Sequence, residues 1–161
     1  MAIDPMKSKY HSLYWSIAQS AAQQSVCERA KVGCVIVAPS GMLSIGWNGM
    51  PAGYHWGDYC EHLFSPGPGQ PIETTTRPEV IHAERNAIDK MTRQGVSTEG
   101  SILFTTLAPC MECAKSIHGL GFRHVYYLHT YSSNAGINFL KQAGVNVTHE
   151  ASVTSQNIVQ T

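Results

Sequence analysis

The order in which helical and strand patterns follow one another is what most constrains the fold of this chain. From Lys7 to about Gln24, residues Tyr10, Leu13, Tyr14, Ile17, Ala18 and Ala21 recur at intervals of three and four, the repeat of one helix face. Val32 to Ala38 is an apolar, β-branched run, Pro39-Ser40-Gly41 is a turn, and Met42 to Trp47 is a returning strand, so a hairpin follows the helix. Regularity resumes at Glu79, where Val80, Ala83, Ala87, Ile88 and Met91 make a helical stripe that Gly95 closes. Ser101 to Thr106 reads as a strand, and Pro109 opens a helix through about Leu120. Arg123 to Leu128 is a strand, Ala135 to Gln142 a helix, and Val145 to Thr148 a last short strand. Helix, hairpin and then alternating helix and strand predicts an α/β fold, a three-layer α/β/α sandwich around a mixed five-stranded sheet.

Asn48 to Pro78 departs from this regularity. It holds five of the chain's eight prolines, aromatics at Tyr54, Trp56 and Tyr59, and no period. A stretch of this length without regular structure is either functional or disordered, and its aromatics and cysteine favour an ordered, functional loop. A single domain is expected over residues 6–150. The leader Met1-Ala2-Ile3-Asp4-Pro5, ahead of a second methionine at Met6, is set outside the fold, and residues 151–161 are expected to fray.

Composition narrows the function. Hydrophobic residues make up 43% and charged residues 14% of 161, which points to a compact globule and hints at oligomerisation. Eleven basic residues balance eleven acidic ones, whereas a chain that tracks a polyanion carries a basic excess, so nucleic acid is not the expected partner. No apolar stretch approaches the roughly 18–20 residues of a membrane span, so no membrane partner is expected. Five cysteines, an odd number with no signal segment ahead of them, argue against a secreted disulfide scaffold and for a reducing cytoplasm.

Two segments bear chemistry: His82-Ala83-Glu84 and Pro109-Cys110-Met111-Glu112-Cys113, each placed at the start of a helix. Helix N-termini carry unpaired N–H groups and roughly half a positive charge, which favours thiolates. His82, Cys110 and Cys113 supply three ligands for zinc and leave its fourth tetrahedral position for water, whose pKa the metal brings down toward about 7. Glu84, two residues from His82, is free to carry that water's proton to a leaving amine. A lone Cys-x-x-Cys is usually half of a structural zinc site or a redox pair, and a lone His-x-Glu is usually surface chemistry. Together, in this order, they are the signature of zinc-dependent deaminases.

From about Tyr10 to Val147 the chain resembles the deoxycytidylate (dCMP) deaminases of the cytidine deaminase fold. The resemblance rests on Lys31-Val32-Gly33, on Gly46-Trp47-Asn48-Gly49-Met50-Pro51-Ala52-Gly53, on His82 to Ile88 and on Pro109 to Lys115. The Asn-Gly-Met-Pro-x-Gly continuation is the discriminating part. The resemblance implies hydrolytic attack at C4 of cytosine, Glu84 protonating N3 and then the departing ammonia, and dUMP for thymidylate synthesis. It also implies that Asn48 bonds the sugar or base, that the backbone around Ala108, Pro109 and Cys110 reads the base edge, and that Tyr131 packs near the nucleoside. Asn48 has a second reading as a turn residue ahead of Gly49. For the 5′-phosphate, Arg29, Lys31 and Lys115 are the basic residues nearest these motifs, with no choice among them. Members of the family are typically homohexamers activated by dCTP and inhibited by dTTP with Mg2+, through a loop matching Gly46, Trp47, Asn48, Gly49 and Met50.

Some phage-type members carry an additional zinc, with one ligand at the position matching Cys27. Cys27, Cys60, His55 and His62 are the candidate set here, a metal clip that would offset the closure entropy of the irregular loop. Cys34, inside the apolar strand, reads as core. Three alternatives share parts of this signature. A tRNA adenosine deaminase would want a basic surface, a free-nucleoside or riboflavin-pathway deaminase would share zinc and glutamate, and a zinc-stabilised binding module would show no turnover.

Overall fold

The computed structural model describes residues 4–53 and 59–151. A short 3-10 turn, Ser8–Tyr10, leads into α1, His11–Gln23. On α1 the buried side chains are Tyr14, Trp15, Ala18, Ala21 and Ala22. The face is therefore turned from the expected one, with Trp15 inside and Leu13 exposed. The Tyr14 hydroxyl donates to the carbonyl of Pro5, and Met6 packs against the core.

β1, Gly33–Val37, is buried along its whole length and sits second in the sheet. It pairs antiparallel with β2, Leu43–Trp47, on one side and with β5, Ile102–Leu107, on the other. β5 pairs in parallel with β6, His124–His129, and β6 with β7, Asn146–His149, giving the order β2-β1-β5-β6-β7. Successive side chains of a strand point to opposite faces. Val35 and Val37 accordingly join Tyr14, Trp15, Ala18 and Phe104 under α1. Cys34 and Ile36 join Ala87, Met91, Ala114, Ile117 and Leu140 beneath α2, Ala83–Arg93, α3, Met111–Gly119, and α4, Ala135–Gln142. Two apolar layers on one mixed sheet make the expected three-layer sandwich.

Gly46 is what lets α2 lie so close to β2. A Cβ there would collide with the backbone of Ala83 and Ala87. α2 starts later than its apolar stripe suggests, at Ala83. The residue before His82 is held instead in an extended bridge, where Ile81 and Gly49 exchange backbone hydrogen bonds of 2.8 and 3.1 Å.

The irregular span contains regular structure that its sequence hides. β3, Glu61–Phe64, and β4, Glu73–Thr76, form a separate antiparallel pair with Glu61 opposite Thr76. Neither strand buries a face, so no polar–apolar alternation marks them. Just ahead of β3, Cys60 is bonded to Cys27 in a disulfide that bridges 33 positions. Of the set expected for a second zinc, the structure brings Cys27 and Cys60 together with their sulfurs bonded to each other, sets Glu61 beside them as a third donor, and leaves His62 exposed on β3. His55 lies outside the described residues. Among the described residues no helix is long and apolar enough to cross a membrane.

Candidate active site

The chemistry-bearing residues stand where α2 and α3 begin. His82 precedes α2 with extended backbone (φ −69°, ψ 154°), and Cys110 precedes α3 in the same way (φ −70°, ψ 171°). Neither helix start is capped by a side chain, so its first N–H groups keep their partial positive charge for the site.

Strands fix how α2 is rotated. The Ser44 hydroxyl donates to the Ala87 carbonyl at 2.7 Å, the Lys90 ammonium to the Ile45 carbonyl at 2.7 Å, and the Trp47 N–H to the Asn86 side-chain oxygen at 3.3 Å. From β1 the buried Cys34 thiol donates to the Ala83 carbonyl at 3.1 Å, so this core cysteine also anchors the first turn of α2. At the other helix, the Ala108 N–H donates to the His129 carbonyl at 2.8 Å. Gly136 of α4 lies so near Pro109 and Cys110 that a Cβ would strike their backbone.

With both helix starts held, Nδ1 of His82 lies 3.5 Å from Sγ of Cys110 and 3.4 Å from Sγ of Cys113. Zinc–sulfur bonds of about 2.3 Å and zinc–nitrogen bonds of about 2.0–2.1 Å, set at tetrahedral angles, space nitrogen and sulfur about 3.5–3.6 Å apart. The three donors fit a zinc ion. Two thiolates and an imidazole suit its softness, and three protein ligands leave one position open, as in catalytic sites.

Among themselves these groups hold protons that a cation would displace. The hydrogen bond from Cys113 and that with His82 hold the Cys110 thiol down at about 3. The same bond, together with burial, pushes the Cys113 thiol up. His82 is raised chiefly by its hydrogen bond to Cys110, with burial partly opposing. Glu84 is 4% exposed, and burial lifts its carboxyl above the usual glutamate range. The Cys113 thiol donates to its Oε2 at 3.6 Å. A carboxyl titrating nearer neutrality, beside the metal donors, is matched to proton transfer.

A cavity of about 100 Å³ opens onto His82, Glu84 and Cys110, and Asn48, Ala108 and Tyr131 share its lining. Pro109 is not among the lining residues and is buried, its carbonyl packed by Gly136. Asn48 is a brace as well as a wall. Its Oδ1 accepts from the Val32 N–H and its Nδ2 donates to the Ala30 carbonyl, both at 2.8 Å. Thr76 and Val80 also line the cavity. No sequence signal singled them out as site residues, since one comes from the hidden strand β4 and the other from the turn after it, where the Val80 N–H donates to the Arg77 carbonyl at 3.1 Å. Of the basic candidates, Lys31 donates to the Ser25 carbonyl and Lys115 pairs with Glu112 at 2.6 Å on the exposed face of α3. Trp47 of the Gly46–Met50 segment projects outward, with the Lys90 ammonium 4.4 Å above its ring.

Residues 8–129 match the family described as the cytidine and deoxycytidylate deaminase zinc-binding region. The chain belongs to this family. The match runs from the 3-10 turn to the end of β6, and so takes in both helix starts of the deaminase site. The deoxycytidylate deaminase of Mycobacterium phage D29 is 36% identical over 117 residues, 71% of this chain and 90% of that protein. The ComE operon protein 2 of Bacillus subtilis (strain 168) is 36% identical over 127 residues, 78% of this chain and 63% of its own length. The chain thus spans less than two thirds of that relative. Among solved structures, the crystal structure of dCMP deaminase from the cyanophage S-TIM5 in complex with dCMP and dUMP is 39% identical with a TM-score of 0.76. That likeness covers 88% of this chain and 97% of the cyanophage chain.

Proposed function

We propose that this zinc-dependent deaminase converts dCMP and water to dUMP and ammonia. The observation that carries the reading is the buried Glu84 carboxyl set beside a His82–Cys110–Cys113 donor triangle of zinc dimensions. The likeness to a dCMP deaminase described with dCMP and dUMP supports the choice of substrate. Zinc bound by the triangle would supply a Lewis acid that makes water nucleophilic at neutral pH. Glu84 takes the proton from the attacking water, hands it to N3 of the cytosine ring, and returns a proton to the amino group that leaves C4 as ammonia. The backbone at Ala108 and Cys110 reads the base edge, and Asn48 and Tyr131 flank the nucleoside.

Ammonia release measured in parallel on dCMP, deoxycytidine, cytidine and an RNA hairpin tests the assignment. Turnover greatest on dCMP is expected. Greatest turnover on the RNA hairpin would instead favour the tRNA adenosine deaminase reading, and none on any substrate a binding module.

The family resemblance further supports a homohexamer in the cytoplasm, feeding dUMP to thymidylate synthesis. It also supports activation by dCTP and inhibition by dTTP with Mg2+ through Gly46, Trp47, Asn48, Gly49 and Met50, with residues 6–150 acting as one domain. The outward Trp47, on a strand at the sheet edge, suits a contact between subunits.

A further inference from the structure

We infer that the groove between α2 and α3 is a second opening into the site, by which the reacting water enters and ammonia leaves while the nucleotide fills the first. This rests on the reading of the site as a deaminase of dCMP.

The groove exists because two helices that start together at the metal donors pack on different neighbours. α2 is drawn onto β2, where Gly46 lets it approach and Ser44 and Lys90 bond across, whereas α3 packs against α4. Side chains one turn apart share a helix face, so Glu84 and Ile88 of α2 border the gap on one side, and Glu112 and Ser116 of α3 on the other. The space between them is about 330 Å³. Among its lining residues Glu84, Ile88 and Cys113 are only 4%, 4% and 8% exposed. The groove therefore ends on the carboxyl that carries protons and on one of the metal donors. Val80, His82 and Glu84 line both this groove and the catalytic cavity, and His82 is exposed. The same side chains wall both spaces.

The groove suits a small uncharged molecule. Charged groups on its rim are engaged with neighbours, Arg85 with Asp89 at 2.8 Å, Glu112 with Lys115 at 2.6 Å and Glu79 with Arg77 at 3.7 Å. Ile81 and Ile88 supply apolar wall below them. On its other side the catalytic cavity continues into a larger one of about 310 Å³, with Asn48, Thr76 and Tyr131 lining both, and this is the side with room for the rest of the nucleotide. In the reaction a C4–O bond forms and the C4–N bond breaks. One proton of the water ends on N3 and the other on the departing nitrogen, which leaves as neutral ammonia. The pyrimidine ring then stands between that ammonia and the nucleotide's entrance, whereas the groove reaches Glu84 from behind. Release of product through such a route limits turnover when the route is narrowed.

The test narrows the groove from either wall with Ser116→Phe and Arg85→Phe. Neither residue lines the catalytic cavity or the larger one. His118→Phe adds a ring to α3 away from the groove and is the control. On zinc-loaded protein, both groove variants should lower kcat for dCMP several-fold without raising KM or weakening dUMP binding. The first turnover, which uses water already in place, should keep its unmutated rate and appear as a burst of dUMP in a rapid quench. A second readout needs no turnover. With cobalt(II) in place of zinc, the visible spectrum reports azide reaching the metal. Without nucleotide all the proteins should respond alike, since the first entrance is open. With saturating dUMP, the groove variants should respond several-fold more slowly than the unmutated protein and His118→Phe. An unchanged kcat in both groove variants, a slowed first turnover, or azide rates that dUMP leaves equal in all the proteins overturns the second opening. So does an unmutated cobalt protein whose spectrum ignores azide once dUMP is bound. If the unmutated zinc protein releases no ammonia from dCMP, the deaminase reading falls and the inference falls with it. If it turns over dCMP and both groove variants match it, only the inference fails.

Discussion

Sγ of Cys113 stands 3.4 Å from Nδ1 of His82 although 31 positions of sequence separate them. The closeness comes from two helices that begin side by side, each with its first residue next to a metal donor. Because Cys110 is held down at about 3, it is a thiolate throughout the ordinary pH range, whereas Cys113 remains a thiol. Metal-free protein should therefore react with iodoacetamide at Cys110 at a rate nearly constant from pH 5 to 8. An ordinary thiol, with its pKa near about 8.5, gains about tenfold per pH unit over most of that span. Peptide mass spectrometry reads the site, and zinc should block it. A tenfold rise per unit at Cys110 would contradict the hydrogen-bonded pair.

Glu84→Gln keeps the size and polarity of the side chain but cannot carry a proton. Turnover should fall by about 10²–10⁴, the usual contribution of a general acid–base group. Zinc content should stay at the unmutated level, since the donor triangle is intact. Loss of zinc, or turnover near normal, would remove Glu84 from the role given to it.

The same carboxyl sets a pH dependence of stability. Burial raises its pKa in the folded chain above the unfolded value. A raised acid binds its proton more tightly when folded, so its contribution is full below the unfolded pKa, near about 4.3, and is lost as pH rises through the folded value. In the presence of chelator, the unmutated protein should lose urea resistance from pH 5 to 8 more steeply than Glu84→Gln. Equal slopes would mean that Glu84 is not buried as a carboxyl in the metal-free chain.

Regulation is the next expectation. If the Gly46–Met50 segment binds a nucleoside triphosphate at a subunit contact, dCTP should raise and dTTP with Mg2+ should lower the rate at subsaturating dCMP. Each effector shifts the balance only by its differential affinity for two states. Sedimentation in the same buffers should show an oligomer. A monomer with kinetics indifferent to both nucleotides would end this idea.

What could be read from the sequence was whatever burial had written into it. β1, its hairpin partner and the stripe Ala83, Ala87, Ile88 and Met91 pack on a core, so their apolar spacing is visible, and the two metal segments are local in sequence. β3 and β4 expose both faces, including Leu63 and Phe64, so nothing periodic betrays them. Val80 looked helical because its spacing continues the stripe by chance, while its backbone N–H closes a turn on the Arg77 carbonyl, one residue ahead of the Ile81–Gly49 bridge. Cys27 and Cys60 were legible as neighbours across 33 positions, but nothing in their spacing tells a shared metal from a direct bond between the sulfurs. Asn48 was legible as important, yet its bonds to Ala30 and Val32 are long-range facts that no spacing encodes.

Gly136 offers a test of how packing sets the metal site from behind. It lies in the first turn of α4, and a Cβ there would strike the backbone of Pro109 and Cys110. Gly136→Ala must push α4 and the Ala108–Cys110 loop apart, which moves Sγ of Cys110 off its 3.5 Å separation from His82. Overpacking of this kind costs about 1–3 kcal/mol. For a chain of this size that is a fall in Tm of roughly 2–12 °C. Zinc should also be lost faster to a chelator, a change that a remote destabilisation would not produce while the protein is folded. Gly119→Ala, at the end of α3, is the control, since its Cβ would meet nothing within 4 Å. In a helical position alanine is favoured over glycine by about 0.5–1 kcal/mol, so that variant should hold or gain stability and keep its zinc. A Gly136→Ala protein that matched it in both Tm and zinc release would show that α4 does not brace the cysteine loop.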